Sequence, residues 1–317
     1  MTITAKVIAD SIGPNTSRLT TFQLKYPRFI HAEFLTHRQF SRNASSSRAI
    51  PVEKQIQMIR EDTAMPIHWG KNQKGMQADE ATDAPVNLCK ATQGYDRVYR
   101  DFTAQEAWLE ARDRAIEVAE AFVKAGYHKQ IVNRILEPFS HIVVVVTASQ
   151  YDNFFALRCH PDAQPEIRAL ADAMYAARDS SIPRYLPVAL DSREQLTTSN
   201  WHLPYVTEQE QIQNQHEPSV YPIGNLIKCS AARCARVSYL THDGASPSLE
   251  ADLALHDRLV GSQPIHASPT EHQATPDTRI WVEDLDMWEH PYLHGNLSGW
   301  QQYRKMIDGE CVATYVR

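Results

Sequence analysis

At 317 residues the chain can bury roughly three quarters of its unfolded surface, so a core needs no disulfide staple. Lys+Arg of 32 against Asp+Glu of 38 gives a net charge of −6, which excludes a basic nucleic-acid coat and leaves any anion site to clustered arginines. The five cysteines (Cys89, Cys159, Cys229, Cys234, Cys311) are odd in number and lack C-x-x-C spacing, which suits reduced thiols better than a disulfide framework or a zinc site.

The amino end, MTITAKVIADSIG, has no basic region leading into an apolar core, and no apolar run approaches about 18 residues. A soluble, cytoplasmic protein with no membrane partner is expected. Residues 19–26, LTTFQLKY, place Phe22, Leu24 and Tyr26 on one face and predict a half-buried strand. Pro27 suits the first turn of a helix through PRFIHAEFLTHRQF, with Ile30, Phe34 and His37 along one side. Residues 65–100 show glycines, prolines and no clear period, and predict an irregular, loosely ordered or lid-like excursion.

Helices are predicted over Ala104–Ala125 and His128–Leu136, the second ended by Pro138. Ile142–Ala148 is too short and too β-branched for a helix and predicts a buried strand. Ser149 with Asp152 resembles a helix start, carrying Phe154, Leu157 and Arg158 towards His160-Pro161. A further helix opens at Pro165. Gln, Ser, Pro and Thr dominate Leu186–Asn225, which predicts a linker or surface-draped segment. A short apolar element (ARVSYL), a helix over Pro247–Val260 and a tail rich in Trp, Tyr and His complete the chain.

The stretch THRQFSRNASSSRAIP over 36–51 holds three arginines, a histidine and four serines. Small polar residues let backbone N–H groups converge on an oxyanion, and Arg48 can grip phosphate with a planar fork. A serine-rich surface loop explains the same composition, and composition alone leaves the two even. Arg158 and Arg134 each require an internal carboxylate or an anionic ligand if partly buried. His266-Ala267-Ser268-Pro269-Thr270-Glu271-His272 is weak as a zinc site, because Pro269 interrupts helical i, i+4 geometry; a turn into a helix at Pro269, capped by Ser268, is the plainer reading. No G-x-G-x-x-G, G-x-x-x-x-G-K-[ST] or G-x-S-x-G occurs.

Taken together, four blocks resemble the flavin-dependent thymidylate synthases. His37-Arg38-x-x-Ser41-x-Asn43-x-x-Ser46-x-Arg48 is similar to that family's R-H-R-x-x-S-x-N-E-x-S-x-R signature. Asn153-Phe154-x-x-Leu157-Arg158 with Ala163-Gln164-x-Glu166-Ile167 resembles its second block, and Arg134 in VNRILEP the arginine before its leucine-proline turn. Ala235-Arg236-Val237-Ser238 and His266-x-Ser268-Pro269-x-Glu271-His272 resemble its amino-terminal segment, here placed last. That order implies a circular permutation joined through roughly 186–228, with 1–185 holding the motif blocks, 229–272 the displaced segment and 273–317 an extension, all in one elaborated domain. The wording SRNASSSRAIP is also similar to virus-encoded relatives.

The resemblance implies an α+β fold, with a mixed or antiparallel sheet packed with long helices. It implies one-carbon transfer from methylenetetrahydrofolate to C5 of dUMP, with FAD as cofactor, NADPH as reductant and a homotetrameric assembly sharing its sites. His37, Arg38, Asn153 and Ser268 would hold FAD, with Thr36, Ser149 and Glu271 at further cofactor positions. Ser46, Ser47, Arg48 and Arg134 would receive the nucleotide phosphate and sugar, with Glu33, Ala44 and Ser45 at neighbouring substrate positions. Arg158 would face the uracil edge and stabilise charge developing on the ring, with His266 close to the flavin.

Four departures stand out: Thr36 replaces the motif's first arginine, Ala44 its glutamate, Glu33 a glutamine and Asp162 a histidine. Arg42 is a new cation in the same segment, and Glu33 could accept a hydrogen bond from an amino group, which opens a cytosine base. A pyrimidine-nucleotide hydroxymethylase and a catalytically silent nucleotide-binding relative are the alternatives.

Overall fold

A computed structural model describes residues 2–93, 96–188, 200–216, 222–237 and 248–311. β1 (Thr4–Ile12) has no counterpart among the sequence expectations, since most of its side chains are half-buried and give no clean alternation. β2 (Leu19–Pro27) pairs antiparallel with it. The strand expected to be half-buried is covered on both faces: Phe22, Leu24 and Tyr26 have no exposure, and neither do Thr20 and Thr21. Thr21 and Gln23 meet a second protein layer through His202 and Tyr205, while Lys25 stays partly exposed beside Asp62.

Pro27 ends β2 instead of opening a helix. The long helix expected from it reduces to a 3-10 turn at Arg28–Ile30 and α1 (His31–Phe34). Beyond α1 the amides of Thr36 and His37 bond carbonyls three residues back, those of Glu33 and Phe34, so His37 sits on a tight turn. β3 (Ser41–Ala44) carries the middle of the arginine- and serine-rich stretch, and Pro51 precedes α2 (Val52–Glu61).

The excursion at 65–100 is only partly irregular. β4 (Val86–Gln93) and β5 (Asp96–Phe102) form an antiparallel hairpin, hidden in the sequence because most of its described side chains are exposed and mark no apolar period. The earlier part folds back on residues 162–166: the Ile67 backbone amide donates to Glu166 Oε1 (2.7 Å) and Gln77 Nε2 to the Asp162 carbonyl (2.6 Å).

α3 (Ala104–Lys124) and α4 (Lys129–Leu136) match expectation, the first opened by a Thr103–Glu106 capping box. β6 (His141–Ala148) is the expected buried strand and pairs with both β2 and β3. α5 (Asp152–Arg158) follows, but Tyr151 rather than Ser149 occupies its N-cap, and no side chain caps it. α6 (Pro165–Asp179) starts at its proline, with the Gln164 side chain accepting from the Ile167 amide. β7 (Arg184–Tyr185) lies parallel to β1. The resulting mixed sheet, ordered β3-β6-β2-β1-β7, is the centre of an α+β architecture.

The described part of the predicted linker is no surface drape. Trp201 and Leu203 are buried, and α7 (Glu208–His216) and α8 (Ile223–Arg236) follow. Residues 189–199 and 217–221 of that expectation lie outside the described residues, as do Ser238–Leu240 of ARVSYL and Pro247. Ala235 and Arg236 end α8, so the first part of that apolar element is helical. α9 (Leu249–Val260) is capped by Ser248. Two small antiparallel pairs complete the order: β8 (Ala274–Pro276) with a later strand, and β9 (Arg279–Val282) with β10 (Leu285–Trp288). The partner of β8 is β11 (Trp300–Gln302), and residues 312–317 lie outside the described set. Among the described residues no helix is long and apolar enough to cross a membrane.

The sheet is covered twice. On one face Phe22, Leu24, Tyr26, Val144 and Val146 pack under α5 and α6 through Phe154, Phe155, Ile167 and Leu170. On the other, Val145 meets Cys234 of α8, and Tyr205 reaches Gln23 (2.6 Å).

Candidate functional site

The apolar face fixes the first group of site residues. Phe154 and Phe155 are buried and anchor α5, leaving Arg158 at its C-terminal turn with about a quarter of its side chain exposed (24%). His37 stacks on Phe40 with centroids 5.8 Å apart and meets Phe154 edge-on at 4.9 Å. Arg158 Nε donates to His37 Nε2 (3.0 Å), which makes Nε2 the acceptor and puts the imidazole proton on Nδ1. Burial, then the cations of Arg158 and Arg42, hold His37 below the usual histidine pKa, so it is neutral. Arg42 Nη1 donates to the carbonyls of Leu35 (2.9 Å) and His37 (3.4 Å), clamping the turn from the next strand.

Glu33 Oε2 lies 4.0 Å from Arg158 Nη1, beyond hydrogen-bond distance. Thr36 spends its hydroxyl on the Glu33 carbonyl (2.7 Å). Arg38 and Asn153 are exposed beside His37 and Phe154 in the sequence. Ser149 is buried at the end of β6 and offers no exposed donor.

A second group sits where β3 runs out. Ser45 is buried and extends the sheet, exchanging bonds with Val143 through its amide (2.8 Å) and its hydroxyl (3.0 Å). Ser46 closes a turn through its carbonyl, and Ser47 donates to Glu137 Oε1 (2.8 Å). Asn133 on α4 donates to the carbonyls of Ser47 (2.6 Å) and Ile50 (2.9 Å), and Lys129 to that of Ala49 (3.0 Å). α4 therefore braces the turn carrying Arg48 while presenting its own Arg134. Both arginines are exposed, and Ala44 is half-buried opposite Val144.

The displaced histidine-rich segment forms a third group. Ser268–Glu271 is a 3-10 turn whose N-cap is Ala267 with no side-chain cap, so Ser268 does not cap it. The Asn43 amide nitrogen donates to the carbonyls of Ser268 (3.1 Å) and Arg42 (3.1 Å), tying this turn to β3. Glu271 pairs with Arg304 of the carboxy-terminal extension. Ser268 and His266 are exposed, and the described bond of His266 is from its amide to the Leu259 carbonyl (3.0 Å). No described hydrogen bond joins His266 to Arg158. Among the described residues no group of three or more His, Cys, Asp or Glu is placed to hold a metal ion.

Behind these groups runs a buried polar line that sequence reading misses. His202 Nδ1 meets Ser11 Oγ (2.9 Å) and its Nε2 meets Thr21 Oγ1 (2.7 Å). Thr21 meets Thr147 (2.6 Å), and Thr147 meets His272 Nδ1 (2.8 Å). Burial pushes both histidines down to about 3, so both are neutral. His272 belongs to a quoted motif, but nothing in the composition around His202 marks it.

The geometry defines a class first: an α+β protein whose edge strand β3 is flanked in sequence by Arg38 and Arg48, both exposed. The family model described as thymidylate synthase complementing protein matches residues 18–184, over half of the sequence, and the chain belongs to that family. Among solved structures, the UMP/dUMP methylase PolB from Streptomyces cacaoi, bound with 5-Br dUMP, is 16% identical, covering 56% of this chain and 89% of its own, with a TM-score of 0.41. Thymidylate Synthase X from Helicobacter pylori, with FAD and dUMP, is 15% identical, covering 50% of this chain and 67% of its own, with a TM-score of 0.34. No curated protein matches the chain. The family match, not these superpositions, makes the assignment.

Proposed function

We propose that the chain is an FAD-dependent thymidylate synthase-like enzyme that transfers a one-carbon unit from methylenetetrahydrofolate to C5 of dUMP, with NADPH as reductant. The observation that carries this reading is the Arg158–His37 contact, because it joins two separate motif blocks into one aimed cation. Neutral His37 takes Arg158 Nε and leaves the guanidinium's outer edge for a ligand. A fixed cation there stabilises charge that develops on a pyrimidine ring without reorganising during the reaction. Arg48 and Arg134 supply the phosphate end, with Ser46 and Ser47 shaping the turn between them.

The residues present suit a flavin nucleotide: Arg38, Asn153 and Ser268 are exposed guanidinium, amide and hydroxyl donors, chemistry that fits phosphates and sugar. Bound there, FAD would supply the hydride that completes the methyl group. The permuted order has support in the packing of Ser268–Glu271 beside β3, where Asn43 holds it. Homotetramer assembly follows from the family resemblance.

The test is product analysis after incubating the purified protein with dUMP, methylenetetrahydrofolate, NADPH and FAD. A methylated nucleotide is expected. A hydroxymethylated product redirects the reading to the hydroxymethylase, and colourless protein that takes up no FAD sinks both.

A further inference from the structure

We propose that Asn296, on the carboxy-terminal extension, is a positioning residue of the flavin site: it pins the turn that presents Arg38. The inference rests on the flavin reading above and brings into the site a segment that lies outside the matched residues 18–184.

The turn gives up its carbonyls to side chains from two directions. Arg42 takes those of Leu35 and His37 from β3. Asn296 Nδ2 takes that of Gln39 (2.9 Å) from 257 positions away in sequence. Arg38 stands between the His37 and Gln39 carbonyls, so its main chain is held on both sides and its exposed guanidinium starts from a fixed base. A turn already ordered in this way leaves less for a ligand to order on binding.

Asn296 is itself held. Its Oδ1 accepts from the Ser41 hydroxyl (3.1 Å) and from Gln302 Nε2 (3.0 Å), which sets the amide's orientation and leaves Nδ2 for Gln39. Gln302 is buried in β11 and also donates to the Glu271 carbonyl (3.0 Å). Gly295 allows the close approach: its φ is +56°, and a Cβ there would stand 2.5 Å from Gln302 Oε1. Leu297 and Trp300, both fully buried, cluster with Leu19 and Leu186, and Trp300 Nε1 donates to the Ser17 carbonyl (2.9 Å). The extension is thus docked on the central sheet, and Asn296 reaches the turn from a rigid support. The Arg48 turn has a different brace, Asn133 and Lys129 of α4, so loss of Asn296 should weaken flavin and spare the nucleotide phosphate.

The experiment titrates FAD, followed by flavin fluorescence, and separately dUMP, followed by calorimetry, into the FAD-free full chain. Wild type is compared with Asn296→Ala, Asn296→Asp, Arg38→Ala and the Arg38→Ala/Asn296→Ala double variant. Asn296→Ala should raise the FAD dissociation constant about tenfold, the loss expected from one fixing hydrogen bond. Asn296→Asp keeps the bonds from Ser41 and Gln302 but sets a carboxylate against the Gln39 carbonyl, and should raise it about 30-fold. dUMP binding should move less than about twofold in either variant, because its phosphate end is braced separately. In the Arg38→Ala background Asn296→Ala should add less than about threefold, since the side chain it aims is gone. Circular dichroism at the assay temperature shows which variants fold, and Asn296→Ala with its double variant carries the test if Asn296→Asp does not. An unchanged FAD constant in Asn296→Ala overturns the inference and leaves the flavin reading standing. Equal weakening of FAD and dUMP makes Asn296 a purely structural residue and overturns it too, as does full additivity with Arg38→Ala. Wild type that takes up no FAD overturns the flavin reading and this inference together.

Discussion

The two faces of the central sheet come from the same strands and are closed by opposite chemistry. One side of β2 and β6 shows Phe22, Leu24, Val144 and Val146 to α5 and α6. The other shows Thr21 and Thr147, bonded to each other and to His202 and His272. Apolar packing is non-directional and responds to volume, so the first face holds Arg158 in place by filling space. The second works only when every donor and acceptor is matched, since a buried polar group left alone costs more than the bond was worth. The face that carries the cation should fail in proportion to the volume removed. The face that carries the Ser268 turn should fail by protonation or by loss of one hydroxyl.

Acid should strike the polar face hardest, although burial also holds His31 and His141 at about 4. His202 and His272 have folded pKa values of about 3, below the ordinary 6.5, so their stabilising contribution is complete above pH 6.5 and drains away as pH falls towards 3. By pH 5, before most carboxylates titrate, the loss should reach about 2 kcal/mol for each imidazole. Denaturant melts at pH 7 and pH 5 measure it together with the smaller loss from His31 and His141, and equal midpoints would remove the polar face from the comparison. On the apolar face, Phe22→Ala should cost about 3–5 kcal/mol at either pH. A cost under about 1 kcal/mol would mean that this face is not the rigid one.

Arg158→Ala tests what the apolar face is for. It should lower kcat/KM about 10³-fold while flavin absorbance and melting temperature hold, and unchanged turnover would remove Arg158 from the chemistry. Thr147→Val keeps the shape and deletes one hydroxyl shared by Thr21 and His272, at an expected cost of about 1–3 kcal/mol read from the denaturation midpoint. The smallest effect belongs to the exposed turn: Arg48→Ala should weaken dUMP binding about tenfold, measured as a dissociation constant that also loses salt dependence.

Sequence pattern and structure agree where burial is one-sided or complete over a single element. β6 is a run of β-branched residues, and α3 and α4 carry both period and caps, so each is legible locally. The second cover of the sheet is not: Trp201, His202 and Leu203 lie in a Gln-, Ser- and Pro-rich stretch, and what buries them is α8 for Trp201 and Leu203 and the strands of Ser11, Thr21 and Ala274 for His202. The shortened α1 was hidden for a related reason, because its apolar spacing continues through a turn that Arg42 clamps from β3. In the site, motif reading names Arg158 and His37, but the bond between them spans 121 residues and no local signal predicts it. Ser45 and Ser149 are polar residues in motif positions whose burial local sequence does not show.

The line Ser11–His202–Thr21–Thr147–His272 has a consequence for the bookkeeping of hydrogens. Each hydroxyl gives one proton and accepts on two lone pairs, and each neutral imidazole carries one proton, so all four bonds form with the donors in line or with Thr21 or Thr147 accepting from both sides. In line, both imidazoles hold their hydrogen on Nδ1 or both on Nε2; with a threonine accepting twice, His202 holds it on Nε2 and His272 on Nδ1. One combination is excluded: with the hydrogen on Nδ1 of His202 and on Nε2 of His272, both threonines donate outwards and no proton is left between them. The two histidines, one from each side of α7, α8 and α9, are coupled to that extent in the tautomers they can hold together.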